Sequence, residues 1–429
     1  MDVYNEVGEL QRVLVHKPGA EVARMTQFEL EPLLFDDILA LDLARREHEV
    51  MQQILGHRGA EILEVVDLLE TGLSAAPPEV VVELLDTVCE QAAVRELAEV
   101  LSALPPKELA ASLIEGVAWS EVPGSRLTLS RLRARLDARE FMALPPVPNL
   151  MFMRDPCIGI YDKIVVGRMA TTARARESVI VRFALRYGLQ DPPGLLFDAP
   201  DWTRNPAYRS IEGGDVLIIS PQMVMIGCSE RTQPQTIERV AHEVLFPAFP
   251  ELQRVHAVIM PRRRSVMHLD TILTAIDEKL FLGHAPMIKH GRDVAVVQLC
   301  RGRAPEMLEG VTVEDLLKRE LGEDTAVVPC GGDDELHQMR EQWTDGANAV
   351  CLAPGHIVLY ARNYWTVRTL VERHGFEQIQ LSADERDEQR VAKMASATGR
   401  TVFTFTGSEL SRARGGGRCL TMPLSRARL

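Results

Sequence analysis

From Pro145 to its last residue the chain alternates short apolar runs with turn residues and helix-forming stretches. That alternation confines it to a mixed α/β architecture of many short strands. Strand candidates are Ile158–Ile160, Ile164–Val166, Val216–Ile219, Met223–Ile226, Ala257–Met260, Val294–Leu299, Thr325–Val328, Ala349–Leu352, Ile357–Tyr360 and Thr401–Phe405. Helices are expected near 173–187, 233–245, 312–321 and 365–374. Gly-Gly-Asp occurs at Gly213–Asp215 and Gly331–Asp333, and Gly-His at Gly283-His284 and Gly355-His356. These echoes hint at repeated strand–helix units without setting a period.

The N-terminal part opens in the same style. Leu10 to His16 reads as a strand ended by the turn Lys17-Pro18-Gly19, and Glu61 to Val66 as a second strand. Between them Ala40, Leu43, Ala44, His48, Met51 and Leu55 fall at helical spacing. Near Gly72 the character changes. Helix formers punctuated by Pro77-Pro78 and Pro105-Pro106 run to about Ala143, with one apolar face at Val94, Leu97, Leu101 and Leu104 and another at Leu109, Leu113, Ile114 and Val117. Residues 72–143 are therefore expected to be an inserted helical bundle, splitting the α/β body into 1–71 and 144–429.

Composition narrows the function classes. A net charge of −13 argues against general nucleic-acid affinity, which needs a basic surface. The last eighteen residues carry five arginines and no acid, so a small anionic group is expected to be held locally there. No apolar run reaches membrane-spanning length, and the Met1 to Glu6 segment resembles no signal peptide. The seven cysteines are scattered, odd in number and never C-x-x-C, which fits reduced cytosolic thiols better than disulfides or zinc. A cytoplasmic location is the expectation.

Four clusters set charged residues beside glycine or proline turns where core strands begin or end. The last is Arg412-Ala-Arg-Gly-Gly-Gly-Arg-Cys419, where three glycines allow close backbone approach and a thiol sits among arginines that favour its thiolate. The others are Asn149 to Pro156 with Asp155, Ile211 to Asp215 with Glu212, and Met267 to Thr271 with His268 and Asp270. Alone, each reads equally as a turn, a cap or a basic tail. A metal site is a poor fit, since His268-x-Asp270 supplies two ligands and no second histidine pair follows at metal spacing. Together they define a reaction type: Cys419 as nucleophile, His268 as general acid/base, and Glu212 orienting the imidazole. Asp155 and Asp270 then have no proton to transfer, and paired carboxylates beside a thiol suit a guanidinium.

With those residues in place, the chain resembles the arginine deiminase family. Asn149-Leu-Met-Phe-Met-Arg-Asp-Pro, Glu212-Gly-Gly-Asp, Ser265-Val-Met-His-Leu-Asp-Thr and Arg414-Gly-Gly-Gly-Arg-Cys-Leu-Thr-Met-Pro follow its motifs in order, and Leu34-Phe-Asp-Asp-Ile38 is also similar. The resemblance implies a five-bladed α/β propeller (the pentein fold) with an inserted all-α bundle, and hydrolysis of L-arginine to L-citrulline and ammonia without metal or organic cofactor. It implies catalytic roles for Cys419, His268, Glu212, Asp155 and Asp270. It places Phe152 against the substrate stem, Asp215 as a residue that helps fix the binding site, Arg174 and Arg231 on the α-carboxylate, and Arg414 on a closing loop. A homo-oligomer, dimer or tetramer, is part of the same expectation, with no nucleic-acid or membrane partner. Two positions depart from the common pattern. Ala413 replaces a glycine before the loop arginine and is expected to stiffen a hinge. Arg418, where some members have histidine, is expected to add positive field at the thiol.

Overall fold

The computed structural model describes residues 1–33, 35–123, 129–136, 141–197 and 209–429; Leu34 of the Leu34–Ile38 motif lies outside them. Its plan is a repeated unit: an antiparallel hairpin, a helical crossover, and a third strand parallel to the second. Cys157–Ile160 and Lys163–Val166 form the first hairpin, and Gly194–Phe197 returns parallel after helix Ala175–Tyr187. Val216–Ser220, Met223–Cys228 and Arg254–Ile259 repeat the plan, with Ala295–Cys300 and Glu306–Met307 added at the edge. Leu273–Asp277, Leu280–Gly283 and Ala326–Pro329 form the third unit. In the fourth, Val350–Ala353 and His356–Tyr360 are followed by Thr401–Phe405, with Glu377–Gln380 beyond it. The fifth joins distant segments: Met422–Arg426 pairs antiparallel with Leu10–Val15, and Glu61–Glu64 lies parallel to the latter after helix Leu41–Gly56. Among the described residues these are five sheets, plus a two-stranded ribbon of Val117–Ala118 and Met142–Leu144.

Apolar runs such as Met223–Cys228 lie with both faces covered, which is why they read as continuous rather than alternating. The repeat is real, but the dipeptide echoes do not mark it. Gly213–Asp215 precedes a hairpin, whereas Gly331–Asp333 follows the third strand of its unit. Glu61–Glu64 ends where its partner strand ends at Val15, so Val65 and Val66 start a helix instead of extending the strand. Helix therefore begins at Val65, ahead of Gly72, and continues through Pro78–Gln91, Ala98–Ser102 and Pro106–Glu115, the two prolines sitting at helix starts as expected. Leu84, Val88, Leu97, Leu101, Leu109 and Leu113 pack in one continuous core with Ile180 and Ala184 of helix Ala175–Tyr187.

Two long-range ties hold the segment around Cys419. Glu47, inside helix Leu41–Gly56, accepts the N–H groups of Ser408, Glu409 and Leu410 at 2.7, 3.0 and 3.1 Å. Charge-assisted bonds of this kind are worth about 1.5–3 kcal/mol each. Beyond Cys419, Arg426 pairs with Leu10 and sends its Nη1 to the Gly8 carbonyl at 2.8 Å. The Cys419 loop is clamped on both sides.

Candidate active site

The residues singled out in the sequence converge at one end of the sheets. Phe152, Asp155, Arg174, Arg231, His268, Arg414 and Cys419 line a single cavity, with Leu33, Asn149, Met267, Thr271 and Ala413 completing the wall. The cavity measures only ≈ 20 Å³, room for about one water molecule. Asp155, His268, Arg414 and Cys419 enter on loops before the first strand of a unit, and Arg174 and Arg231 just after the second strand of theirs, where side chains escape the sheet ladder and point into shared space.

Glycines permit the convergence. A Cβ on Gly213 would sit 1.9 Å from the Arg154 carbonyl oxygen, and one on Gly214 would sit 2.7 Å from the His268 ring. The Glu212-Gly-Gly-Asp215 motif is thus a packing requirement before it is a chemical one. Asp215 itself lies behind the cavity wall. It accepts Ser229 Oγ at 2.7 Å and the Leu269 N–H at 2.9 Å, tying the Glu212 loop to the His268 loop. Burial pushes its carboxyl up to about 7, against the pull of His268 and its hydrogen bonds.

His268 Nε2 lies 2.9 Å from Glu212 Oε2 and 3.8 Å from Asp155 Oδ1. Burial pulls the imidazole pKa down, but the charge of Asp155, the hydrogen bond to Glu212 and the charge of Asp215 together push it up to about 9. His268 is therefore protonated at neutral pH and loses its acidic proton as pH rises through 9. Glu212 stays ionised despite burial, because Arg231, His268 and Arg174 surround it. Glu212→Gln removes both a charge and the charged acceptor, so the basic limb of a kcat/KM profile is expected to fall by about one pH unit or more. An unmoved limb would detach His268 from proton transfer.

The arginines are placed differently from the sequence expectation. Arg174 is in the site, yet its Nη1 is ion-paired with Asp155 Oδ2 at 2.8 Å and its Nη2 with Glu177 Oε2 at 2.8 Å. Both carboxylates expected to take the substrate guanidinium thus already hold a protein one, Asp155 that of Arg174 and Asp270 that of Arg418. Arg231 Nη1 lies 3.4 Å from Glu212 Oε2. Arg418 is also engaged. Its Nη1 meets Asp270 Oδ2 at 2.9 Å and its Nη2 meets Glu6 Oε1 at 3.1 Å. The expected positive field at the thiol is neutralised by those two acids. Cys419 is held well above the usual thiol range, first by burial and then by Asp270, Asp155 and Asp345. Asp270 Oδ2 is 3.7 Å from its sulfur. The sequence leads one to expect neighbouring arginines to favour the thiolate; burial and these carboxylates act in the opposite direction.

Arg414 takes the left-handed backbone at φ 68°, so the unusual turn falls on it rather than on Ala413, which is buried at the end of the Leu410–Ala413 turn. Its guanidinium lies 3.5 Å over the Trp343 ring, and its Nη1 donates to the Trp343 carbonyl at 2.7 Å. A cation–π contact of about 0.5–2 kcal/mol is a modest restraint on the Arg414 side chain.

Three engaged residues carry no strong sequence signal. Glu177 was findable as the i+3 neighbour of Arg174 on a helix. Glu6 and Asn348 were not, since their partners lie 412 and 71 residues away. Asp155, Glu212 and His268 bring ligand-type atoms within 4.8 Å of one another, as a metal site would. Arg174 and Arg231 already pair with those two carboxylates, which disfavours a further cation at the same atoms.

Comparison with known proteins places the chain among relatives of one kind. The chain is 33% identical over 434 residues to the arginine deiminase of Bacillus cereus, covering 99% of this chain and 98% of that one. It is 32% identical to the arginine deiminase of Listeria monocytogenes, covering 100% and 98%. Among solved structures, an amidinotransferase of the saxitoxin pathway from Microseira wollei matches with a TM-score of 0.52 at 13% identity, over 100% of this chain and 98% of that chain. That similarity shows a shared mixed α/β fold. The sequence model described as "Arginine deiminase" matches residues 31–426, a span that includes every loop of the site, and the chain belongs to the arginine deiminase family.

Proposed function

We propose that the chain hydrolyses L-arginine to L-citrulline and ammonia through a covalent adduct on Cys419. The observation that carries this reading is the meeting of one thiol, Asp155 and His268 in a single buried cavity, with Asp270 against the sulfur and Glu212 against the imidazole behind its wall. Arginine brings a guanidinium to Asp155 and Asp270, and that cation offsets the anionic field that holds Cys419 protonated, so the thiol proton is released to solvent as substrate binds. The thiolate attacks the guanidinium carbon. The C–N bond breaks as His268 gives its proton to the departing ammonia, leaving a thiouronium on the sulfur. His268, now neutral, takes a proton from water; the hydroxide adds to the carbon, the C–S bond breaks with its electron pair returning to sulfur, the hydroxyl proton passes to solvent, and citrulline leaves with the thiolate restored. No step calls for a metal, so activity is expected to survive EDTA.

Binding exchanges one cation for another. The substrate guanidinium replaces that of Arg174 on Asp155, freeing Arg174 to turn toward the α-carboxylate together with Arg231. Phe152 covers the stem, Asp215 fixes the loops behind, and Arg414 closes the mouth. Arg231→Ala is expected to raise KM for arginine with a smaller change in kcat, the pattern of lost ground-state binding. Unchanged arginine kinetics would move the carboxylate role elsewhere.

The five sheets, which repeat one hydrogen-bonding plan, support a five-bladed propeller, with 72–143 as an inserted helical subdomain. No helix among the described residues is long and apolar enough to cross a membrane. A cytoplasmic dimer or tetramer completes the reading. The test is product analysis with L-arginine, agmatine, an N-methylated arginine, and arginine plus glycine. Citrulline and ammonia from arginine alone support the proposal; ornithine appearing with glycine, or preference for agmatine, would replace it.

A further inference from the structure

In four of the five units the loop entering the first strand carries a group already placed in the chemistry. Asp155 precedes Cys157–Ile160, Glu212 precedes Val216–Ser220, His268 and Asp270 precede Leu273–Asp277, and Cys419 precedes Met422–Arg426. The fourth unit begins at Val350, and the side chain in the equivalent place is Asn348, which is fully buried.

Its amide makes four hydrogen bonds, two of them to Cys419. Oδ1 accepts the backbone N–H of Arg418 at 3.0 Å and of Cys419 at 3.1 Å. Nδ2 donates to the Asp270 carbonyl oxygen at 3.0 Å and to Cys419 Sγ at 3.2 Å. Two backbone donors converging on one end identify that end as oxygen, which leaves the N–H₂ group facing the sulfur. The glycine run fits this contact: a Cβ on Gly416 would lie 2.6 Å from the Asn348 carbonyl oxygen and 2.8 Å from its Oδ1. Only a glycine lets the loop come this close.

We propose that Asn348 is a catalytic residue of this site, its Nδ2–H stabilising the negative sulfur of Cys419 while its Oδ1 holds the loop that carries it. The proposal rests on the arginine-hydrolysis reading. The sulfur otherwise faces Asp270 oxygens at 3.7 and 3.8 Å, and Arg418 is turned to Glu6 and Asp270. An N–H donor bonds more strongly to a thiolate than to a thiol, so Asn348 favours the ionised form. It acts twice: before attack on the guanidinium carbon, and again when the C–S bond breaks and its electron pair returns to sulfur. The Gly416 backbone N–H also favours the thiolate.

The test uses Asn348→Ala and Asn348→Asp beside the wild-type protein. Iodoacetamide alkylation of Cys419 is followed against pH by peptide mapping, which separates it from the other six cysteines, and citrulline kinetics are measured in parallel. In Asn348→Ala the alkylation midpoint is expected to rise by about one pH unit, and kcat to fall roughly ten- to a hundredfold with little change in KM. Asn348→Asp keeps both acceptor bonds to the loop but offers the sulfur no N–H, and is expected to recover neither value. A wild-type midpoint and kcat in Asn348→Asp would reduce Asn348 to a loop anchor and overturn the proposal, as would an Asn348→Ala protein indistinguishable from wild type. Should Asn348→Ala fail to fold, Asn348→Asp decides alone. If wild-type protein releases no citrulline, the hydrolysis reading fails, while the alkylation profile still reports on the sulfur contact.

Discussion

Cys419→Ser is expected to lower citrulline formation by at least about four orders of magnitude while arginine still binds. A serine hydroxyl is far less acidic than a thiol, and this pocket already resists ionisation through burial, Asp270, Asp155 and Asp345. Loss of a nucleophile elsewhere costs up to about 10⁶ in kcat. Asp155 and Asp270 are untouched by the change, so calorimetric affinity for arginine should be retained within about tenfold. Turnover within tenfold of wild type would remove Cys419 from the mechanism.

Asp155→Asn is expected to have the next largest effect, because that carboxylate serves two partners at once. It is the leading charge that raises the pKa of His268, and it is the acceptor now occupied by Arg174. The isosteric amide removes an ion pair from a site closed to water, which costs about 3–5 kcal/mol when one partner is lost. A fall in kcat/KM of roughly 10³-fold follows. The basic limb of the pH profile should drop as well, since His268 loses the charge that favours its protonated form. Arg174 keeps its bonds to Glu177 at 2.8 to 3.1 Å, so the fold has a reason to survive the change. Near-normal kcat/KM with an unmoved basic limb would contradict both roles.

The site was readable in the sequence where chemistry and turn geometry coincide. Asp155 stands before a proline, Glu212 before a glycine, His268 and Asp270 share one short loop, Cys419 closely follows three glycines, and all five lie ahead of apolar strands and meet. What could not be read was who neutralises whom. Arg418 precedes the thiol in sequence but answers to Glu6, 412 residues away. Arg174 is paired with the carboxylate expected to hold substrate. Asn348 sits in Asp345-Gly-Ala-Asn348, which reads as an ordinary turn, and only the fold brings it to the sulfur.

The same division holds for the architecture. Strands with both faces covered announce themselves as apolar runs. Glu377–Gln380 does not, because its polar residues lie at the sheet margin with only Ile379 buried. Helix Glu335–Trp343 was likewise unmarked, since it leaves Leu336 and Met339 exposed and buries Gln338, Glu341 and Gln342. The fivefold repeat escaped detection because its units share a hydrogen-bonding plan rather than a sequence period, and because one unit joins Met422–Arg426 to Leu10–Val15 across the whole chain.

The most direct test is an acid quench of purified protein mixed with arginine labelled at its guanidino carbon, run with EDTA and repeated with Cys419→Ala. The account predicts label bound to the Cys419 peptide during turnover, equal release of citrulline and ammonia, and loss of both label and product in the variant. Citrulline formed at the normal rate by Cys419→Ala, with no label retained on the wild-type protein, would contradict it.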